Sequence, residues 1–320
     1  MSGTSQKSFK HFTELPSDVV AMVIDDMESA DRCRFGGCSI DIHNAVMCSK
    51  NYIYEVCIHH SPVYTRITVI YEKPANQSRK GFILEIGKIA DKIVKRYSNL
   101  DLRTLSKEEL DSSTNLSIYV IKEFDRILQS SQRSIKKLVF KSRYSDALHN
   151  IDFGSIKHLL HLEILDVDAD IDIQQIFSKL RRPLKALHCK KPLEHCAQIY
   201  QVQEMVKLAK IDFDYDQFLQ LSAKRVDIHI GEMSEKDIHE FIRSWQVGII
   251  DREIKTCRWF IEGEDFNELK FFGLFGIEDY NGGALYLENF NNPGKYGLLY
   301  NTDDGLVFNV LSRPIPLPMA

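Results

Sequence analysis

The chain lacks the marks of several large protein classes. It contains no run of eighteen apolar residues, so no segment reads as a membrane-spanning helix. Neither G-x-G-x-x-G nor G-x-x-x-x-G-K-[ST] occurs, so no glycine-rich loop offers its backbone to a phosphate. The serine turn G-x-S-x-G is missing as well. Charge of one sign is not in excess. Lys and Arg number 41 against 45 Asp and Glu, a net of -4, which supplies no overall basic field for nucleic acid. The seven cysteines (33, 38, 48, 57, 189, 196 and 257) are odd in number and show neither Cys-x-x-Cys nor zinc-ligand spacing. No apolar signal-type core follows Met1, so reduced thiols in the cytoplasm or nucleus are expected.

What is present is an ordinary globular composition, 44% hydrophobic and 27% charged, which argues against disorder. At 320 residues the chain can hold one large domain, or a medium domain and a small one. Near the start, Leu15-Pro16 precedes a helical pattern of Val19, Val20, Val23, Ile24 and Met27, with Ser17 as the expected N-cap. Asp31-Arg32 follows. A second helix from about Ala30, carrying Cys33 and Phe35, and a third through Ile42, Ala45 and Val46 complete the segment. It is too short to build a core, so its apolar face predicts a partner surface.

From Tyr52 the composition shifts toward aromatic and β-branched residues. YIYEVCI (52–58) and YTRITVIY (64–71) predict two strands joined by a turn. The stretch 73–81 reads as a loop, and 83–97 has mainly helical spacing. Residues 117–130 predict a helix with Ile118, Ile121, Phe124, Ile127 and Leu128 on one face. A six-residue pattern, apolar-x-x-Leu-x-apolar, then recurs. It reads Ile135-Leu138-Phe140, Leu162-Leu165-Val167 and Leu184-Leu187-Cys189. Weaker copies are Leu208-Ile211-Phe213, Ala223-Val226-Ile228 and Ile254-Cys257-Trp259. The first spacings resemble those of leucine-rich repeats. Helices are expected over 172–180, within 192–210, and over 234–248, where Ser234, Asp237 and Gly248 supply start and stop signals. The stretches 284–290 and 296–311 predict strands, the latter folded at Asp303-Asp304-Gly305. The tail RPIPLPMA reads as extended.

Four features could carry chemistry, and each has a plainer reading. His188, Cys189, His195 and Cys196 lie within nine residues, yet adjacent residues on a strand point to opposite faces, which separates each His from its Cys. The carboxylates of 167–173 and 211–216 alternate with apolar residues, as on a solvated strand edge, and lack the glycine and terminal Glu of a calcium loop. The basic residues Arg133, Lys136, Lys137, Lys141 and Arg143 fit one face of a strand-turn unit. Gly273, Gly276 and Gly282-Gly283 fit turns. No nucleophile–base spacing is recognisable, so no catalytic residue, metal site or cofactor is expected.

Leu15-Pro16, the Val20/Val23/Ile24/Met27 helix, Asp31-Arg32 and Cys38-Ser39 together resemble an F-box. VQEMVKLAKIDFD (202–214) looks like the Gln-Trp-Lys-x-Ala-Lys signature of the FTH domain of nematode F-box proteins, with Met205 in the place of Trp. SEKDIHEFIRSWQVG, followed by CRWFIEG, looks like that domain's Ser-x-x-Asp-Ile segment. The resemblance covers about two-thirds of the chain. It implies an F-box over 10–50, a connecting region over 51–115, an FTH-type target-binding domain over 116–262 and a strand region over 263–320. The implied fold is α+β with an α/β repeat: a small three-helix F-box, then an irregular leucine-rich-repeat-like solenoid with C-terminal strands. The implied function is non-enzymatic: a substrate-recruiting adaptor of a Skp1–cullin–F-box ubiquitin ligase. A Skp1-like protein would dock on Leu15, Pro16, Val20, Val23, Ile24, Met27 and Phe35 and link the chain to a cullin, while the repeat domain would hold an unknown target protein. Neither nucleic acid nor membrane is an expected partner. The alternative is a protein-binding module of the same family that no longer engages a ligase. Gly36-Gly37, which weakens the second helix, and Ile40 after Ser39 favour that alternative.

Overall fold

The computed structural model describes residues 15–27, 31, 35, 53–61, 63–71, 81–89, 92–110, 115–130, 134–142, 151–157, 160–191, 193–209, 211, 213–229, 233–250, 252–260, 266–277 and 281–312. The chain divides into two compact units. The first comprises residues 1–163 and 168–182, and the second 164–167 and 183–320.

The first unit opens with helix α1 (Ser17–Asp26). Five strands follow: β1 (Ile53–His60), β2 (Tyr64–Tyr71), β3 (Gly81–Ile89), β4 (Lys92–Asn99) and β5 (Thr104–Leu110). Helix α2 (Leu116–Ser130) leads to β6 (Ser134–Ser142). The strand order is β6-β1-β2-β3-β4-β5, with β1 and β6 parallel and the other neighbours antiparallel. Alternation explains the hairpin of β1 and β2. Thr65, Ile67 and Val69 point inward while Tyr64, Arg66 and Thr68 stay half-exposed. On α2, Val120, Phe124, Ile127 and Leu128 form the buried stripe. Phe153 ties helix to sheet, meeting Phe124 at 6.3 Å and Phe140 at 5.0 Å, both edge-on.

One buried ion pair crosses this core. Lys95 on β4 donates from Nζ to Glu123 Oε1 on α2 at 2.7 Å, and both side chains are buried. Tyr97 Oη donates to Glu123 Oε2 at 3.2 Å, and Arg126 Nη1 reaches both oxygens at 3.2 and 3.3 Å. The carboxylate is thus fully engaged, which is the condition under which a buried pair is tolerated.

In the second unit β7 (His161–Asp168) contributes Ile164–Val167. There follow β8 (Ala186–Cys189), α4 (Ala197–Tyr200), β9 (Met205–Leu208), α5 (Tyr215–Gln220), β10 (Arg225–His229), α6 (Glu235–Gln246) and β11 (Thr256–Phe260). Helix α3 (Ile173–Phe177), which comes between β7 and β8 in the chain, belongs to the first unit. After β11 come α7 (Glu268–Gly273), β12 (Leu285–Glu288), β13 (Tyr296–Thr302) and β14 (Gly305–Leu311). The order is β7-β8-β9-β10-β11-β14-β13-β12. Strands β7 to β11 run parallel, and β14, β13 and β12 close the sheet antiparallel.

Register makes the core. Leu165, Leu187, Val206, Val226 and Cys257 stand side by side across five strands, all at 1% exposure or less. Val167, Cys189, Leu208, Ile228 and Trp259 form the next row on the same face. Helices α5 and α6 pack there, with Phe218 and Phe241 on Trp259 at 5.9 and 5.8 Å and Trp245 on Phe308 at 5.0 Å. Each such side chain contributes about 1.5–3 kcal/mol by leaving water. Helix α6 forms where its signals predict. Ser234 and Asp237 make a reciprocal capping box, with Ser234 N donating to Asp237 Oδ2 at 2.7 Å. Gly248, at φ +74°, ends it. A Cβ at Gly248 would come within 2.7 Å of Asn291 Cβ.

Several expectations are corrected. The fold class expected above, a three-helix F-box followed by a leucine-rich-repeat-like solenoid, is overturned. The described residues carry fourteen strands in mixed pairing and seven helices, four of which have six residues or fewer. Over 10–50 one continuous helix, α1, is formed among the described residues, and the expected second and third helices fall outside them apart from Asp31 and Phe35. A solenoid needs each repeat to add a similar layer. Here the first unit is largely an antiparallel meander, and the parallel run of the second ends in antiparallel strands. The helix expected over 83–97 is the pair β3 and β4. Phe82, Leu84 and Ile86 bury one face and Ile83 the other, so a strand apolar on both sides imitates helical spacing. The helix expected within 192–210 shrinks to four residues, and its end is strand β9. The copy centred on Ile211 is displaced, because Val206 occupies the aligned position. Ser17 lies inside α1, with Pro16 at the cap.

Replacing Glu123 with Ala should lower stability by about 3–5 kcal/mol, because Lys95 would be left buried without its carboxylate. Urea unfolding measures this, and Lys95→Met with Glu123→Leu should recover most of the loss. A loss below about 1 kcal/mol for Glu123→Ala would mean that the pair is solvated.

Candidate functional site

Two surfaces stand out, one in each unit. The first is on α1. Val20 and Ile24 are buried, whereas Leu15, Val19, Met22 and Val23 are exposed, Met22 to 68%. Val19, Met22 and Val23 recur at i, i+3 and i+4 on one face of α1, and Leu15 lies just before the helix. Of the residues expected at a partner interface, Leu15, Pro16 and Val23 are exposed. Val20 and Ile24 point inward, and Met27 and Phe35 are half-buried. Sequence reasoning therefore joined two faces of α1 in one set. Val19 and Met22 were missed as surface residues. Hydrophobicity alone did not separate them from Val20 and Ile24.

The second surface is the face of the second sheet opposite its apolar rows. Because side chains alternate, the in-register neighbours of the core residues form their own row there: Asp166, His188, Lys207, Asp227 and Arg258, one from each of β7 to β11. Val307 and Tyr300 extend it onto β14 and β13, and Tyr300 Oη accepts from Asn309 Nδ2 at 3.1 Å. Asp227 is the most buried of the ionisable five. Burial pushes its carboxyl above the usual range, and the nearby charges of Arg258, Lys207 and His188 only partly offset that push. Arg258 leans over the Phe260 ring at 6.0 Å, and its Nε is buried without a hydrogen-bond acceptor among the described residues. A row of alternating charge held at strand spacing can read the charge pattern of an extended ligand. Cys257 lies on the opposite face, and burial pushes its thiol up to about 12, which keeps it protonated.

The other candidates resolve into structural roles. His188 joins the charged row while Cys189 faces the core, so that His–Cys pair is split as strand geometry requires. His195 accepts or donates at Nδ1 with Tyr200 Oη at 3.1 Å and meets Phe213 edge-on at 4.9 Å. No group of three His, Cys, Asp or Glu placed to hold a metal occurs among the described residues. Asp172 caps α3 by accepting from Gln174 N at 3.1 Å, and Asp214 caps α5 by accepting from Gln217 N at 2.7 Å. Two of the acids in the carboxylate runs are therefore helix caps. Within the basic cluster, Lys137 pairs with Glu55 at 3.6 Å and Lys136 lies over Tyr54 at 5.2 Å. Arg133 and Arg143 lie outside the described residues. Cys33, Cys38 and Cys48 do too, and no disulfide joins the four cysteines among the described residues.

The segments that resemble the FTH domain fall in the second unit. Residues 202–214 supply β9 and the cap of α5, and residues 234–248 supply α6 and its stop. Comparison with protein-family models, curated proteins and solved structures finds no match to the chain.

The raised value at Asp227 has a sign that can be tested. Its carboxyl holds a proton more tightly folded than unfolded, so its contribution to stability is largest in acid. That contribution is lost as pH rises through the unfolded value, about 3.9, toward the folded one. Asp227→Asn should therefore melt a few degrees higher than the parent at pH 7, with the difference vanishing near pH 3. A variant that melts lower at pH 7 would mean that attraction to Arg258 and Lys207 outweighs burial.

Proposed function

We propose that the chain is a non-enzymatic adaptor that recruits a target protein to a Skp1–cullin–F-box ubiquitin ligase. In this reading the exposed stripe of α1 docks on a Skp1-like protein, which in turn binds a cullin. The second unit holds the target. The observation that carries the reading is the stripe itself. Val19, Met22 and Val23 keep three large apolar side chains in water on one face of α1, with Leu15 also exposed just before the helix, and an exposed apolar face of that kind supports an interaction surface. The motif residues Leu15 and Pro16 immediately precede the helix and are both exposed. An adaptor needs no bond chemistry. It acts by raising the effective concentration of its target beside the transferring enzyme.

One observation favours a second reading, a binding module that has lost its ligase connection. Val20 and Ile24, two residues of the motif helix, are buried within the chain and so are not available to a partner as α1 stands.

The two readings separate on one experiment. Full-length chain bearing Leu15→Ala and Pro16→Ala is compared with the parent for co-purification of a Skp1-like protein. The adaptor reading expects recovery to fall about ten-fold or more, as for the loss of central apolar contacts. Equal recovery with the double variant would remove the interface claim, and no recovery with the parent would favour the second reading.

A further inference from the structure

Helix α2 covers the face of the first sheet to which Lys95 and Tyr97 point. Side chains alternate along a strand, so Arg96 points to the other face. Its in-register neighbours there run across all six strands. They are Lys141 on β6, His59 on β1, Arg66 on β2, Glu85 on β3, Arg96 itself on β4 and Lys107 on β5. At about 4.8 Å per strand the row is roughly 24 Å long. Arg96, Lys107 and Lys141 are exposed, and His59 and Arg66 are half-buried.

Unlike the mixed row of the second sheet, this row has one dominant sign. Its single carboxylate, Glu85, lies between two guanidiniums. Arg66 donates to Oε1 from Nε at 2.9 Å and from Nη2 at 2.6 Å, and Arg96 donates from the same two nitrogens to Oε2. Burial pushes the Glu85 carboxyl up, but the bonds from Arg96 and Arg66 outweigh it and hold the group below the usual carboxylate range. Glu85 therefore stays ionised and fixes both guanidiniums, each with Nη1 unengaged among the described residues. Four cations against one carboxylate leave a surplus of three positive charges along the row. The other acids on this face among the described residues are matched one for one, Glu55 with Lys137 at 3.6 Å and Glu109 with Lys92 at 2.6 Å. The net charge of -4 on the whole chain does not cancel the local surplus, because salt screens charges more than about 8–10 Å apart.

Two rings lie along the row. Tyr64 stacks with His59 at 6.4 Å between centroids, and Arg66 lies over the Tyr64 ring at 5.6 Å. Tyr64 is half-buried, so part of it meets solvent. In the next row on the same face Val139 and Ile83 are buried. The row thus presents charge and rings rather than an apolar patch. A protein partner takes most of its binding from a desolvated apolar centre. A single-stranded nucleic acid needs a basic track with an aromatic platform beside it. The row has the second set of features.

We infer that this face of the first sheet binds a single-stranded nucleic acid without sequence preference. Lys141, the guanidiniums of Arg66 and Arg96, and Lys107 meet its phosphates, and a base stacks on the Tyr64 ring. The inference uses no residue of the adaptor reading, so either can fail while the other stands.

The test titrates full-length chain into a labelled fifteen-nucleotide oligothymidine and follows fluorescence anisotropy. At about 50 mM salt, half-saturation is expected on the order of 10 μM chain. Affinity should fall with salt at a log–log slope of about -2 to -3, as for three or four phosphates on a single strand. Lys107→Glu with Lys141→Glu turns the sum of the row negative and leaves the bonds to Glu85 intact, and it should weaken binding ten-fold or more. The same reversal at two exposed lysines of the second unit, Lys236→Glu with Lys255→Glu, should change affinity less than two-fold. Tyr64→Leu should weaken binding several-fold. A labelled fifteen-residue polyglutamate should bind at least ten-fold more weakly than the oligothymidine. Circular dichroism should be unchanged in every variant. Polyglutamate binding as tightly as the oligothymidine would assign the face to an acidic protein and overturn the proposal. No binding of the oligothymidine, or equal losses from the two lysine pairs, would overturn it too.

Discussion

The in-phase register of strands β7 to β11 is the constraint on which the second unit depends. Because side chains alternate, a slip of one residue in any strand would put Asp166, His188, Lys207, Asp227 or Arg258 into the core and expose its apolar neighbour. The same alternation that buries Leu165, Leu187, Val206, Val226 and Cys257 therefore creates the charged row. Core and surface row are two consequences of one register. The burial of Asp227 is the cost that this arrangement leaves visible. The first unit is secured differently, by a ladder of antiparallel pairs and by Lys95, Tyr97 and Arg126 gathered on the carboxylate of Glu123.

Much of the second unit was legible because its signals are local. Ser234, Asp237 and Gly248 bound α6 with bonds that span three residues, and the stripe from Ile238 to Trp245 lies within the same helix. Strands β7, β8, β10 and β11 each carry the six-residue apolar pattern. β9 does not, because Gln203 takes the leading apolar place, and the pattern was instead matched on Ile211 and Phe213, which are buried outside any strand. The pair β3 and β4 was read as a helix because burial on both faces erases period two. Strand β5, from Thr104 to Leu110, is mostly exposed and polar and gave no signal at all.

The candidate surfaces were less legible than the elements that hold them. The charged row draws one residue from each of five strands, separated by some twenty positions or more, so nothing local marks it. Phe290 follows a strand in a polar loop, and its backbone is held by bonds from Asn289, Phe290 and Asn291 to Trp245, Gln246 and Val247, more than forty residues away. On α1 the motif gave the right helix but not its orientation. Val19, Met22 and Val23 face water while Val20 and Ile24 face inward.

These features fit a protein that works by contact. An apolar stripe lies on the first unit, and a charged row and a clamped aromatic lie on the second. Under the proposed adaptor reading, the two units would meet different partners. Hydrogen exchange on the full chain, with and without a Skp1-like protein, tests that account most directly. Slowed exchange confined to the amides of residues 17–27 is the predicted result. Unchanged exchange across α1, or protection only among β7 to β11, would contradict it.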